Sequence, residues 1–212
     1  MKPQIPIPNI PSASEQRNDP RIPISEMKEN KKISSKNNIL RLVLSAMFLA
    51  LALVFPFMTA QVPEIGSALC PMHFPVLLCG FFCGPWYASA AGFIAPLLRF
   101  ALFGMPPLMP KGISMCFELA AYGLISGLMY KLLPKKKGYI YVSLIAAMLA
   151  GRVVWGAVRL ILFGLGKSEF GWAAFLSGAF ANAVPGIVLQ IILIPLIVMA
   201  INRAFPETKY ER

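Results

Sequence analysis

From Ile39 to Asn202 the chain is almost continuous apolar sequence, interrupted only by short groups of Gly, Pro and charged residues. In lipid every backbone N–H and C=O must find a partner within the protein, which restricts spanning structure to helices or a closed barrel. The interruptions divide the stretch into six runs, at 39–58, 69–82, 87–103, 113–130, 139–163 and 172–201. A helical span uses about 20 residues, so six take about 120 of these roughly 165 and leave about nine for each connection. No water-exposed domain fits between them. With 57% hydrophobic and 14% charged residues, against about 45–50% and about 25% in soluble domains, a water-soluble globule is excluded. The sequence predicts an all-α membrane protein of six transmembrane helices.

Residues 1–38 hold six prolines among Lys, Asn, Ser and Glu, too little apolar surface to offset the entropy of ordering. They are expected to form a disordered cytosolic tail, followed by the membrane domain over 39–203 and a second cytosolic tail over 204–212. The first apolar run begins too late for a cleavable signal peptide. Runs two and three are separated only by Cys83-Gly84-Pro85-Trp86, which predicts a tight helical hairpin. The last run is long, and Pro185 and Pro195 are its expected kink points. The four cysteines lack the paired spacing of an extracellular disulfide framework. Cys79 and Cys83 fall toward the opposite side of the membrane from Cys70 and Cys116, so no metal site is expected.

Lys and Arg beside spans stay on the cytoplasmic side. With the N-terminus inside, the inner segments collect fifteen of the 20 basic residues: eight from Lys2 to Arg41, then Lys131, Lys135, Lys136, Lys137, Arg203, Lys209 and Arg212. Only Lys111 and Lys167 fall outside, while Arg99, Arg152 and Arg159 lie within spans. Both termini are therefore expected in the cytosol. The net charge of +11 then reflects orientation and contact with anionic lipids. Nucleic-acid binding is not expected, because no basic face with interleaved aromatics occurs.

An ionised side chain near the bilayer centre costs roughly 2.5–3.5 kcal/mol, so those within the spans need partners or water. In this topology His73, Arg99, Glu118, Arg159 and Asn182 all fall in the outer part of their spans, and Arg152 and Gln190 near mid-depth. Five spans thus deliver polar groups to one leaflet, the pattern of a cavity open to the exterior and closed toward the cytosol. Arg152 and Arg159 are seven residues apart and share a helical face with Trp155. An aromatic ring between two guanidinium groups, with Glu118 opposite, suits a small planar or carboxylate-bearing solute. Three Arg against one Glu favour an anion. The competing reading pairs Glu118 with one Arg, lets Arg99 and Arg159 snorkel to headgroups, and makes His73 an interfacial helix end. On the outer side, Gly104-Met105-Pro106-Pro107-Leu108-Met109-Pro110 cannot be helical; it suits either a lid or a connector dipped into lipid.

The chain has no Gly-x-x-x-x-Gly-Lys-Ser/Thr loop and no His-Glu-x-x-His or membrane-protease motif. It is expected neither to be an enzyme nor to carry a cofactor, and any ATP-driven work must come from elsewhere. The run from His73 through Gly84-Pro85 to Gly92 resembles the second and third helices of substrate-binding S-components of energy-coupling factor (ECF) vitamin transporters. Ala46-Met-Phe-Leu-Ala50 matches the Ala-x-x-x-Ala of that family's first helix, where small residues four apart permit close helix approach. The resemblance covers about residues 39–203. It implies capture of a vitamin or related micronutrient outside a bacterial plasma membrane, contact of Ala46 and Ala50 with a transmembrane coupling subunit, and energy from two ATPase subunits. By the depth argument the substrate-binding residues are His73, Arg99, Glu118, Arg152, Trp155, Arg159 and Asn182, and the ligand is a small anion such as pantothenate. The alternative is a structural or regulatory membrane protein whose Arg and Glu are internal struts. A self-sufficient carrier would need internal repeats, and none is visible.

Overall fold

The structure, a computed structural model, describes residues 24–59, 69–134, 137–165 and 184–204. Every long element among them is helical: α1 (Ile24–Val54), α2 (His73–Cys83), α3 (Pro85–Phe103), α4 (Ile113–Leu132), α5 (Lys137–Leu165) and α6 (Val184–Ala204). Five of these regions are long and apolar enough to cross a membrane, whereas α2 has only 11 residues. The fold is an all-α membrane protein, as its apolar runs require. The chain divides into two units, residues 1–40 and 41–212; α1 begins in the first, at Ile24, within the stretch expected to be an unstructured tail. The rest of that tail, the segment 204–212 beyond Ala204, and the beginning of the sixth run lie outside the described residues.

Within 41–212, short α2 is buried at every residue but Phe74, and α4 is the most enclosed of the membrane-length helices. Half of its apolar window is buried, against 22% for that of α1, and it packs against α2, α3 and α5. Lipid is as apolar as leucine, so close backbone approach and van der Waals contact hold such helices together, with little hydrophobic drive between them. The sequence supplies that approach through small residues: a Cβ added at Gly123 would run into the Ala88 carbonyl of α3. Leu77, Leu119, Tyr122, Leu144, Ile194 and Val198 fill the interior. Leu42, Val43, Leu102, Ile161, Ile192 and Leu196 point outward, the surface that hydrocarbon covers.

The expected hairpin is present. Gly84 has φ 93°, in the left-handed region that a side chain would strain, and Pro85 opens α3, where its missing N–H costs nothing. Between α3 and α4 the proline-rich connector is irregular: a single π-type turn, Leu108–Gly112, with extended backbone at Met109 and cis bonds before Pro106 and Pro110. It packs against the helices α3, α4 and α5. Pro185 lies in the first turn of α6, and Pro195 is buried within it. Stacking of Phe48 on Phe82, with centroids 6.1 Å apart, seats α1 against α2.

Candidate functional site

The start of α2, the first turns of α4 and the middle of α5 meet around one carboxylate. Arg152 Nη1 lies 2.9 Å from Glu118 Oε1 and His73 Nε2 lies 3.4 Å from the same oxygen. Tyr122, one turn after Glu118 on α4, donates its hydroxyl to that oxygen at 3.0 Å, and its ring meets the His73 imidazole edge to face at 5.2 Å. All four side chains are buried. Three groups, one from each of three helices, thus converge on a single acceptor, the arrangement that makes an enclosed carboxylate tolerable.

A second layer tightens the same corner. Cys70 precedes α2 with φ 48°, and its carbonyl accepts the His73 N–H at 3.0 Å and Gln190 Nε2 at 3.5 Å, tying α6 to the start of α2. Arg152 Nη2 approaches Cys70 Sγ at 3.7 Å. This is non-helical backbone at membrane depth, permissible because protein groups satisfy it. Hydrogen-bonding capacity is nevertheless left over: among the described residues His73 Nδ1 and Arg152 Nε are buried without a hydrogen-bond partner.

Two turns along α5 from Arg152, the Arg159 guanidinium lies over the Trp155 ring at 5.1 Å and the Phe163 ring at 5.6 Å. Its Nε has no hydrogen-bond partner among the described residues. The shared face of Arg152, Trp155 and Arg159 therefore exists as the spacing predicts, with Trp155 buried. Arg99 stands apart. It donates Nη1 to the Leu53 carbonyl at 2.7 Å, closing the C-terminal turn of α1, and lies over the Phe57 and Phe103 rings. The charge gathered at Glu118 is thus that of Arg152, not of three arginines. Asn182 lies outside the described residues. Ala46 and Ala50 occupy an exposed face of α1, beside Leu42, Val43 and Met47.

Tyr122, Cys70 and Gln190 belong to the constellation without having been singled out as site residues. Tyr122 carried a signal, its four-residue spacing from Glu118; Gln190 carried its depth. Cys70 carried none, because its role rests on a local backbone conformation.

A family model described as ECF transporter, substrate-specific component, matches residues 40–198. No curated protein and no solved structure matches the chain.

Proposed function

Because the chain belongs to the substrate-specific components of ECF transporters, we propose that it captures a small anionic micronutrient, of the carboxylated, pantothenate-like kind, beside Arg159. Membership makes it the substrate-binding subunit of a multi-pass membrane transporter, in a family that transports and does not catalyse. Such a subunit works with a transmembrane coupling component and ATPase components. The finer reading is ours: both termini are cytosolic in a bacterial plasma membrane, and the cluster around Glu118 faces the exterior.

The observation that carries the choice of an anion is the division of charge along α5. Arg152 is matched by Glu118. Arg159, about 10 Å further along the helix, has aromatic rings beside it, and among the described residues Glu118 acts on it only at longer range, without a salt bridge. A guanidinium held between rings keeps its fork available for a carboxylate while the rings exclude water. Trp155 supplies the wall for the ligand's apolar part, and His73 Nδ1 the spare hydrogen-bonding atom. In this reading Glu118 and Arg152 fix the floor of the site. Arg99 serves by holding the end of α1.

Mass spectrometry of ligand copurifying with the detergent-purified protein, followed by uptake of the radiolabelled compound, tests the proposal. A carboxylated solute is expected, with affinity reduced about tenfold or more in Arg159→Gln, as for loss of one charged hydrogen bond. Tight binding of only a neutral or cationic compound would overturn the choice of an anion. The closeness of the Arg152–Glu118 pair favours a second reading, in which these two are struts; it predicts that neither a ligand nor an ATPase component copurifies.

A further inference from the structure

Among the described residues, every buried side-chain nitrogen or oxygen that lacks a hydrogen-bond partner belongs to His73, Arg152 or Arg159. Folded proteins pair nearly all such atoms, and leaving one unpaired inside a protein is costly. Here the unpaired atoms gather along one stripe. Arg152 and Arg159 lie seven residues apart on α5 with Trp155 between them, a separation of about 10 Å, and His73 shares Glu118 Oε1 with Arg152. The unfilled capacity thus has two ends, one at Arg159 and one where Arg152 meets His73. Resting on the anion reading above, we propose that the substrate is an elongate hydroxy acid. Arg159 holds its carboxylate, and Arg152 Nε and His73 Nδ1 hold a hydroxyl about 10 Å away.

The chemistry at the Arg152 end selects the hydroxyl. Arg152 Nε–H can only donate. His73 turns Nε2 to a carboxylate oxygen at 3.4 Å, so that nitrogen carries the proton and Nδ1 of the neutral ring accepts. A hydroxyl is the smallest group that accepts from one and donates to the other, whereas a carbonyl or ether oxygen serves Arg152 alone. The two ends also differ in charge. Glu118 neutralises Arg152 and reaches Arg159 only at longer range. A second carboxylate placed beside Arg152 would face the like charge of Glu118, which disfavours a dicarboxylate. Trp155 lies along the stripe between the two guanidinium groups and is buried, and its ring suits an apolar middle to the molecule.

Pantothenate serves as the probe, because its extended chain puts a terminal hydroxyl roughly three residue lengths, or about 10 Å, from its carboxylate. Calorimetry on the purified full chain compares it with β-alanine, which keeps the carboxylate end alone, with the analogue whose terminal hydroxyl is replaced by hydrogen, and with the analogue whose carboxylate is a primary amide. Removal of the hydroxyl is expected to weaken binding about tenfold, as for one hydrogen bond to a charged group, and β-alanine should bind more weakly still. His73→Phe keeps a ring against Tyr122 and should shrink the ratio of acid to deoxy acid severalfold. In Arg159→Gln both should bind more weakly with that ratio preserved. Equal binding of the acid and its deoxy analogue, with the acid still preferred to the amide, would overturn the hydroxyl contact and leave the anion reading standing. A ratio unchanged in His73→Phe would reduce that residue to a structural part and overturn its contact with the substrate. Pantothenate that binds no better than β-alanine would overturn the reach along α5. Equal binding of acid and amide would overturn the anion reading, and this inference with it.

Discussion

Arg152 reaches from α5 to place Nη1 2.9 Å from Glu118 Oε1 on α4, and the two side chains are 8% and 2% exposed. A buried pair adds little over apolar packing, yet removal of one partner strands the other at a cost of about 3–5 kcal/mol. Arg152→Ala is therefore expected to lower the thermal unfolding midpoint of the purified protein sharply, and Arg152→Met with Glu118→Leu to recover most of the loss. A single variant as stable as the parent protein would show that the pair does not hold the helices together.

Gly123 and Gly138 separate helix propensity from packing. Alanine is the better helix former by about 1 kcal/mol, and nothing lies within 4 Å of a Cβ added at Gly138. Gly138→Ala should therefore be neutral or stabilising. At Gly123 the same methyl group meets the Ala88 carbonyl, and overpacking of this kind costs about 1–3 kcal/mol. Gly123→Ala is expected to destabilise, as read by thermal unfolding in detergent; a gain in stability there would mean that α3 and α4 are less closely packed.

Arg99 and Arg159 should exchange phenotypes. Arg99→Leu loses the bond to the Leu53 carbonyl and is expected to cost about 1–3 kcal/mol of stability, with ligand affinity unchanged. Arg159→Gln should alter stability by less than about 0.5 kcal/mol and weaken binding. Paired calorimetric binding and unfolding measurements on the two variants distinguish these roles, and the opposite pattern would place the ligand beside α1.

Ala46→Leu and Ala50→Leu add bulk to an exposed face of α1 and disturb no buried contact. Each should leave ligand binding by the isolated protein intact while abolishing ATP-dependent uptake in cells that carry the whole transporter. Undiminished uptake would move the coupling contact to another face.

Apolar runs located the helices because hydrocarbon imposes the same demand on every span. The start of α1 escaped that reading for a local reason: all six prolines of the leading segment lie at or before Pro23. The stretch from Ile24 to Asn38 holds neither Pro nor Gly and has several Glu and Lys, which favour helix. For the site, position within a run gave height along the membrane normal, and that placed His73, Glu118 and Arg152 near one another. Height says nothing about azimuth. Arg99 is predicted at a comparable level, yet its side chain turns to the end of α1, a choice set by helix packing that no periodicity in one segment records. The partner of Glu118 was open for the same reason.

At 11 residues, α2 measures about 16 Å, roughly half of a hydrocarbon core about 30 Å thick. The helix therefore ends about half a hydrocarbon thickness short on its His73 side. If the proposed site is the one that binds, a truncated span of this kind is a pedestal: it would set the level to which cargo can sink, and a helix longer by two turns would raise that level by about 11 Å.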